Sequence, residues 1–83
     1  MKLILATSKF CGPCALLKRK LQSDKLEVET IDMEEDTDKF RHYGVRSVPR
    51  LLVVEDDEVT EVIQGSDEII KKIKEHDQNQ KVS

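Results

Sequence analysis

The chain has 83 residues, which is enough for one small domain that buries a little over ~60% of its unfolded surface and too short for a second. Charged residues make up 37% of it and the formal net charge is −3, which argues against a dedicated nucleic-acid binder, since such a domain is clearly basic. No apolar run approaches the roughly 20 residues of a membrane span, and the N-terminal run is shorter than the ~7–15 residues of a signal-peptide core, so the expected compartment is the cytoplasm.

Leu3-Ile4-Leu5-Ala6 is continuously apolar and predicts a central strand covered on both faces. Thr7 to Phe10 form the loop that follows. A helix is predicted from Pro13 to Ser23, because proline is accepted in a first helical turn, where its missing N–H has no partner to lose. Cys14, Leu17 and Leu21 share one face of this helix, while Lys18, Arg19 and Lys20 cover its solvated remainder. Leu26 to Asp32 alternates as a second strand, with Val28 and Thr30 on one face. Strand, helix and strand make a right-handed βαβ unit.

Asp36, Thr37 or Asp38 is placed to cap a short second helix that carries Phe40 and Tyr43 inward and stops at Gly44. Pro49 precedes Leu51-Leu52-Val53-Val54, another fully apolar strand. Asp56-Asp57 reads as a tight hairpin turn, and Glu58 to Gln64 as a returning edge strand of mixed polarity. Ser66 is the expected cap of the last helix, with Asp67 and Glu68 in its first turn and Ile69, Ile70 and Ile73 docking it. Residues 1–76 form the domain, and 77–83 a polar tail expected to fray. The order β-α-β-α-β-β-α predicts an α/β fold built on one four-stranded mixed sheet with helices on both faces.

Cys11 and Cys14 are the two cysteines of the chain, with Gly12-Pro13 between them. Residues three apart on a helix lie about 5–6 Å apart at Cβ, near disulfide range. In a reducing compartment such a pair is a poor structural staple, and C-x-x-C beside a βαβ pattern points to reversible thiol–disulfide exchange. Cys11 falls at the mouth of the helix, where free backbone N–H groups and the helix dipole favour a thiolate, so it is the predicted nucleophile. Cys14 lies one turn deeper, placed to resolve a mixed disulfide on Cys11. Gly12 lets a partner's backbone approach, and Pro13 stiffens the turn. Lys9 adds positive field, as do Arg46 and Arg50 if the Pro49 loop folds over the pair.

A zinc or cluster site is the competing use of the two sulfurs. Zinc takes four ligands, and the remaining candidates, His42 and His76, are far apart in sequence without a ligand spacing. Neither a metal nor an organic cofactor is therefore expected. Both histidines read as solvent-facing, and the acidic runs Glu34-Glu35-Asp36 and Glu55-Asp56-Asp57-Glu58 as solubilising loop and turn residues.

Cys11-Gly12-Pro13-Cys14, together with Tyr43-Gly44-Val45-Arg46-Ser47-Val48-Pro49 before an apolar strand and Gly65 before the last helix, resembles the thioredoxin family. The resemblance covers Lys2 to about Lys74. It implies reduction of protein disulfides, with Cys11 as nucleophile and Cys14 as resolving residue. It also implies a cis Val48–Pro49 bond in a loop facing the cysteines, where Val48 offers backbone hydrogen bonds to an extended substrate. Ser47, Pro49, Phe10 and Gly65 are the further substrate-binding residues it suggests. Phe10 stands where the family has tryptophan, Leu5 where it has a buried aspartate, and Arg50 where threonine is common. Arg50 adds charge beside the substrate groove and suits acidic partners.

The implied partners are disulfide-containing proteins, with a reductase or glutathione as electron donor, acting on a monomer. Ser47-Val48-Pro49 and Gly65-Ser66-Asp67 are also similar to segments of glutaredoxins. A glutathione-dependent glutaredoxin or an electron donor to ribonucleotide reductase thus stays open, as does a metal- or cluster-binding module.

Overall fold

In the computed structural model, which describes residues 1–81 and the side chains of residues 1–77, the N-terminal apolar run is the central strand β1 (Lys2–Thr7). Parallel β2 (Glu29–Asp32) lies on one side of it and antiparallel β3 (Arg50–Glu55) on the other. Antiparallel β4 (Glu58–Ile63) follows β3, giving the order β2-β1-β3-β4. The helices are α1 (Gly12–Ser23), α2 (Thr37–Tyr43) and α3 (Ser66–Lys81). Strand side chains alternate between faces. Leu3, Leu5, Leu51 and Val53 therefore meet Leu17 and Leu21 of α1 and Ile69 and Ile73 of α3, while Ile4, Ala6, Leu52 and Val54 meet Ile31 and Phe40 of α2 on the other side. A mixed sheet with helices on both faces is the α/β architecture that the order of elements predicts.

The second strand starts at Glu29 rather than Leu26, because the end of α1 uses the intervening residues. Leu26 N–H donates to Leu21 C=O at 2.8 Å and Lys25 N–H to Gln22 C=O at 3.0 Å, with Lys25 left-handed at φ 57°. This is a Schellman-type stop, and Leu26 packs on the cluster that contains Leu21. Val28 and Thr30 do share the α1 side, where both border one hollow with Leu5 and Leu21; the buried residue of β2 is Ile31, facing α2. A lysine in the left-handed region is strained where glycine is not. Lys25→Gly is therefore expected to stabilise the fold by about 0.5–1 kcal/mol, read as a rise in thermal midpoint.

Helix α2 follows Asp36 and ends at Gly44, whose φ of 69° is of the kind glycine adopts readily. The Asp36 carboxylate does not cap the helix; it accepts from the Asp32 N–H at 2.8 Å. Asp56 and Asp57 form the β3–β4 turn, both at positive φ (51° and 66°). One extra residue then enters β4, so that Val59 faces Val54 and Glu61 faces Val53; Thr60 between them donates its hydroxyl to Val53 C=O at 3.2 Å. The bulge keeps Val59 and Val62 on the α2 side despite their odd spacing.

The Gly65 C=O accepts from Ile69 N–H at 2.9 Å, so Gly65, not Ser66, precedes the first turn of α3. The backbone of α3 continues to Lys81, through residues assigned on polarity to the tail, because backbone hydrogen bonding needs no apolar face. Residues 82–83 of that tail lie outside the described residues.

Register gathers the loops. Thr7 at the end of β1 pairs with Asp32 at the end of β2; Ala6 pairs with Arg50 at the start of β3; Leu51 pairs with Ile63 at the end of β4. The segments 8–11, 33–36, 44–49 and 64–65 thus all leave the sheet at one end.

Candidate active site

Cys11 is the N-cap of α1 and is half-buried; Cys14, one turn on, is fully buried. The two form a disulfide with Cα atoms 5.2 Å apart. Cys11 Sγ also accepts from the Cys14 N–H at 3.2 Å, one of the donors that a helix start leaves without a partner. Gly12 and Pro13 are exposed in the first turn, and a Cβ built on Gly12 meets nothing within 4 Å. The accessible sulfur is therefore the one in the favourable field of the helix start, while its partner is screened by the core. Phe10, 87% exposed, stands immediately before the pair.

The loop that carries Phe10 is held by the acidic run after β2. Glu34 accepts from the Ser8 hydroxyl at 2.7 Å and from the Lys9 N–H at 2.8 Å. Ser8 Oγ in turn accepts from Phe10 N–H at 3.2 Å, and Ser8 C=O from Cys11 N–H at 3.3 Å. Asp32 accepts from the Glu34 and Glu35 amides. The acidic residues expected only to solubilise thus fix the approach to Cys11. Their signal in the sequence is topological: parallel β1 and β2 must end side by side, so the loops after them meet.

Lys9 pairs with Glu35, so its charge is committed there rather than to Cys11. The hydrogen bond and charge of Glu35 hold the Lys9 ammonium above its ordinary value. Burial pushes the Asp32 carboxyl up, but the hydrogen bonds from Glu34 and Glu35 and the Lys9 charge outweigh it and hold the group below the usual carboxylate range. A depressed native pKa means that the unfolded chain takes the proton first. The contribution of Asp32 is then complete above about pH 4 and is lost as pH falls through the native value. Thermal melts of the parent and Asp32→Asn should differ at pH 6 and converge below pH 4; parallel curves would remove this account.

The loop between α2 and β3 brings Ser47 (exposed) and Val48 and Pro49 (half-buried) to the same end of the sheet, with the Val48–Pro49 bond cis. Arg50 turns one guanidinium N–H back to Pro49 C=O at 2.9 Å. Gly65, beyond β4, reaches that end on the α1 side, where Ser66 lines a hollow with Pro13 and Leu16. His42 is not brought to the sulfurs: its Nε2 lies 2.9 Å from Asp57 at the β3–β4 turn. Among the described residues no three His, Cys, Asp or Glu side chains gather as a metal set.

Two sulfurs joined at a helix start, one reachable and one screened, take up and release electron pairs by exchange with other disulfides; on this fold they define an α/β thiol–disulfide oxidoreductase. A family model described as Thioredoxin matches residues 1–75, and the chain belongs to the thioredoxin family. It is 39% identical over 62 residues to thioredoxin of Bacillus subtilis (strain 168), a match covering 68% of this chain and 60% of that protein. Thioredoxin of Listeria monocytogenes serovar 1/2a is 32% identical over 75 residues, 76% of this chain and 73% of that one.

Among solved structures, thioredoxin NaTrxh from Nicotiana alata matches with a TM-score of 0.68 at 28% identity, covering 90% of this chain and 73% of that one. Thioredoxin 1 from the thermophilic eubacterium Thermosipho africanus TCF52B matches with a TM-score of 0.67 over 99% of this chain and 97% of that one. At 17% identity the latter likeness speaks to the fold alone.

Proposed function

We propose that this chain reduces disulfides in other proteins by dithiol exchange through Cys11 and Cys14. The reduced Cys11 thiolate attacks one sulfur of the substrate disulfide. That S–S bond breaks, the departing sulfur takes a proton, and a mixed disulfide forms. Cys14 then gives up its proton and attacks Cys11 Sγ. The mixed disulfide breaks, the Cys11–Cys14 bond forms, and the second substrate sulfur leaves and is protonated. The substrate gains two electrons and two protons; the pair loses two electrons and the Cys14 proton, and the other proton comes from water, which took it when Cys11 ionised.

One observation carries this reading: Cys11 caps α1 and its sulfur accepts the Cys14 N–H, while Cys14 itself is buried. The same amide is a ready donor to a Cys11 thiolate and stabilises that anion as the nucleophile. Exposed Phe10 and Ser47 and half-buried Val48 and Pro49 form the ground on which an extended substrate lies, with Val48 pairing by its backbone and Gly65 at the rim. The chemistry needs neither metal nor organic cofactor. The protein acts as a cytoplasmic monomer, re-reduced by a reductase or by glutathione.

Insulin reduction followed in parallel with NADPH plus thioredoxin reductase and with NADPH, glutathione and glutathione reductase tests this. Turnover in the first system is expected. Turnover in the second alone would make the chain a glutathione-dependent reductase, and none in either would end the proposal.

A further inference from the structure

Between the α2–β3 loop and the outer strand lies a cleft of about 250 Å³, at the sheet end that carries Cys11. Arg46, Ser47 and Arg50 line it together with apolar Leu52 and Val62 and with Gln64. Val62 is 50% exposed, which is unusual for a strand valine, and it is on this side because the bulge at Thr60 shifts it there.

No aspartate or glutamate lines the cleft. The sequence has 17 acidic against 14 basic residues, so carboxylates are in excess. Yet the ion pairs of the described residues join Lys2 to Glu29, Lys9 to Glu35, Lys74 to Asp24 and His42 to Asp57, and neither arginine takes part. Arg50 is half-buried and anchored by a single N–H to the Pro49 carbonyl, which leaves the rest of its donor fork without a protein partner among the described residues.

An arginine fork matches a carboxylate in two parallel hydrogen bonds, and the apolar wall suits the methylenes behind one. Across the same end of the sheet the acidic run Glu34-Glu35-Asp36 lies beside the loop before Cys11. An acidic substrate group is therefore drawn to the Arg46–Arg50 side, where no carboxylate competes for the guanidinium groups.

We propose that Arg46 and Arg50 form a subsite for a glutamate or aspartate side chain of the protein substrate, placed near its disulfide. This rests on the reductase reading and names the substrate class that the same site prefers: an acidic, extended segment whose carboxylate seats in the cleft while its cysteine meets Cys11.

The test uses three disulfide-linked peptides identical except for Glu, Gln or Lys two residues from the cysteine, with kcat/KM measured for each by the whole protein. The parent is expected to favour the Glu peptide over the Gln peptide by about fivefold, chiefly through KM, with the ratio shrinking as salt rises. In Arg46→Gln/Arg50→Gln that ratio falls to about one; Arg50→Lys keeps part of it. Each ratio is taken within one protein, so a loss of folded fraction cancels.

Equal rates on all three peptides with the parent, or an undiminished ratio in the double variant, overturn the subsite and leave the reductase reading standing. Failure to reduce any peptide overturns both. Glutathione disulfide is the small-carboxylate control: an arginine dependence seen with it and not with the Glu peptide overturns the assignment to a protein side chain.

Discussion

Cys11→Ser is expected to reduce the rate of insulin reduction by more than about a thousandfold, to that of the small-thiol blank. The loss is chemical and not structural. Serine is a preferred N-cap residue, and its hydroxyl keeps an acceptor for the Cys14 N–H that Cys11 Sγ now receives. The thermal melt of the variant should therefore stay close to that of the reduced parent. Cys14→Ser separates the two halves of the reaction. Cys11 still attacks, but nothing behind it releases the substrate, so the protein accumulates as a covalent adduct seen by mass spectrometry and dissolved by added thiol. The opposite pattern, adducts on Cys14 in Cys11→Ser, would reverse the roles; it requires a fully buried sulfur to reach a protein substrate before its exposed neighbour does.

The asymmetry between the sulfurs is legible in the sequence because it depends only on where a helix starts and which face it buries. The same holds for the sheet: the runs Leu3–Ala6 and Leu51–Val54 are apolar on both faces because helices cover both. What polarity does not encode is where backbone hydrogen bonds stop an element. Leu26 looks like a strand residue and is the closing residue of a helix, through an N–H that reaches back to Leu21. Ser66 looks like a cap, yet Gly65 holds that position.

Long-range polar contacts are the other blind spot. Glu34 and Ser8 are ordinary surface residues until parallel pairing of β1 and β2 sets their loops together. Lys9, read alone, lends charge to Cys11; read with Glu35 beside it, the charge is already taken. Arg46 and Arg50 show the reverse, since only the structure reveals that nothing acidic lines their cleft.

Leu5→Asp is expected to lower stability by about 3–5 kcal/mol at pH 7, a large part of the roughly 4–12 kcal/mol usual for a chain of this length. Leu5 is 0% exposed and packs among leucine, isoleucine and valine side chains, at the inner end of a hollow whose mouth carries Lys18, Gln22 and Thr30, so a carboxylate here loses its water without a placed partner. Burial raises the native pKa of the new carboxyl above its unfolded value of about 3.9. Below pH 4 both states are protonated, and the deficit is the lost leucine packing and the imperfectly bonded acid group. As pH rises from there towards the raised native value, the unfolded chain ionises first, and stability falls by about 1.4 kcal/mol per pH unit.

Urea midpoints from pH 4 to pH 8 should thus slope downward for the variant relative to the parent. A flat difference would mean that water reaches this position. The slope also bears on the parent's chemistry. With leucine here, position 5 offers Cys14 no proton acceptor, so the proton given up in the resolving step goes to water or to the substrate. Release of substrate by the parent should then quicken with the concentration of buffer base at fixed pH, whereas an internal acceptor would make that step indifferent to added buffer.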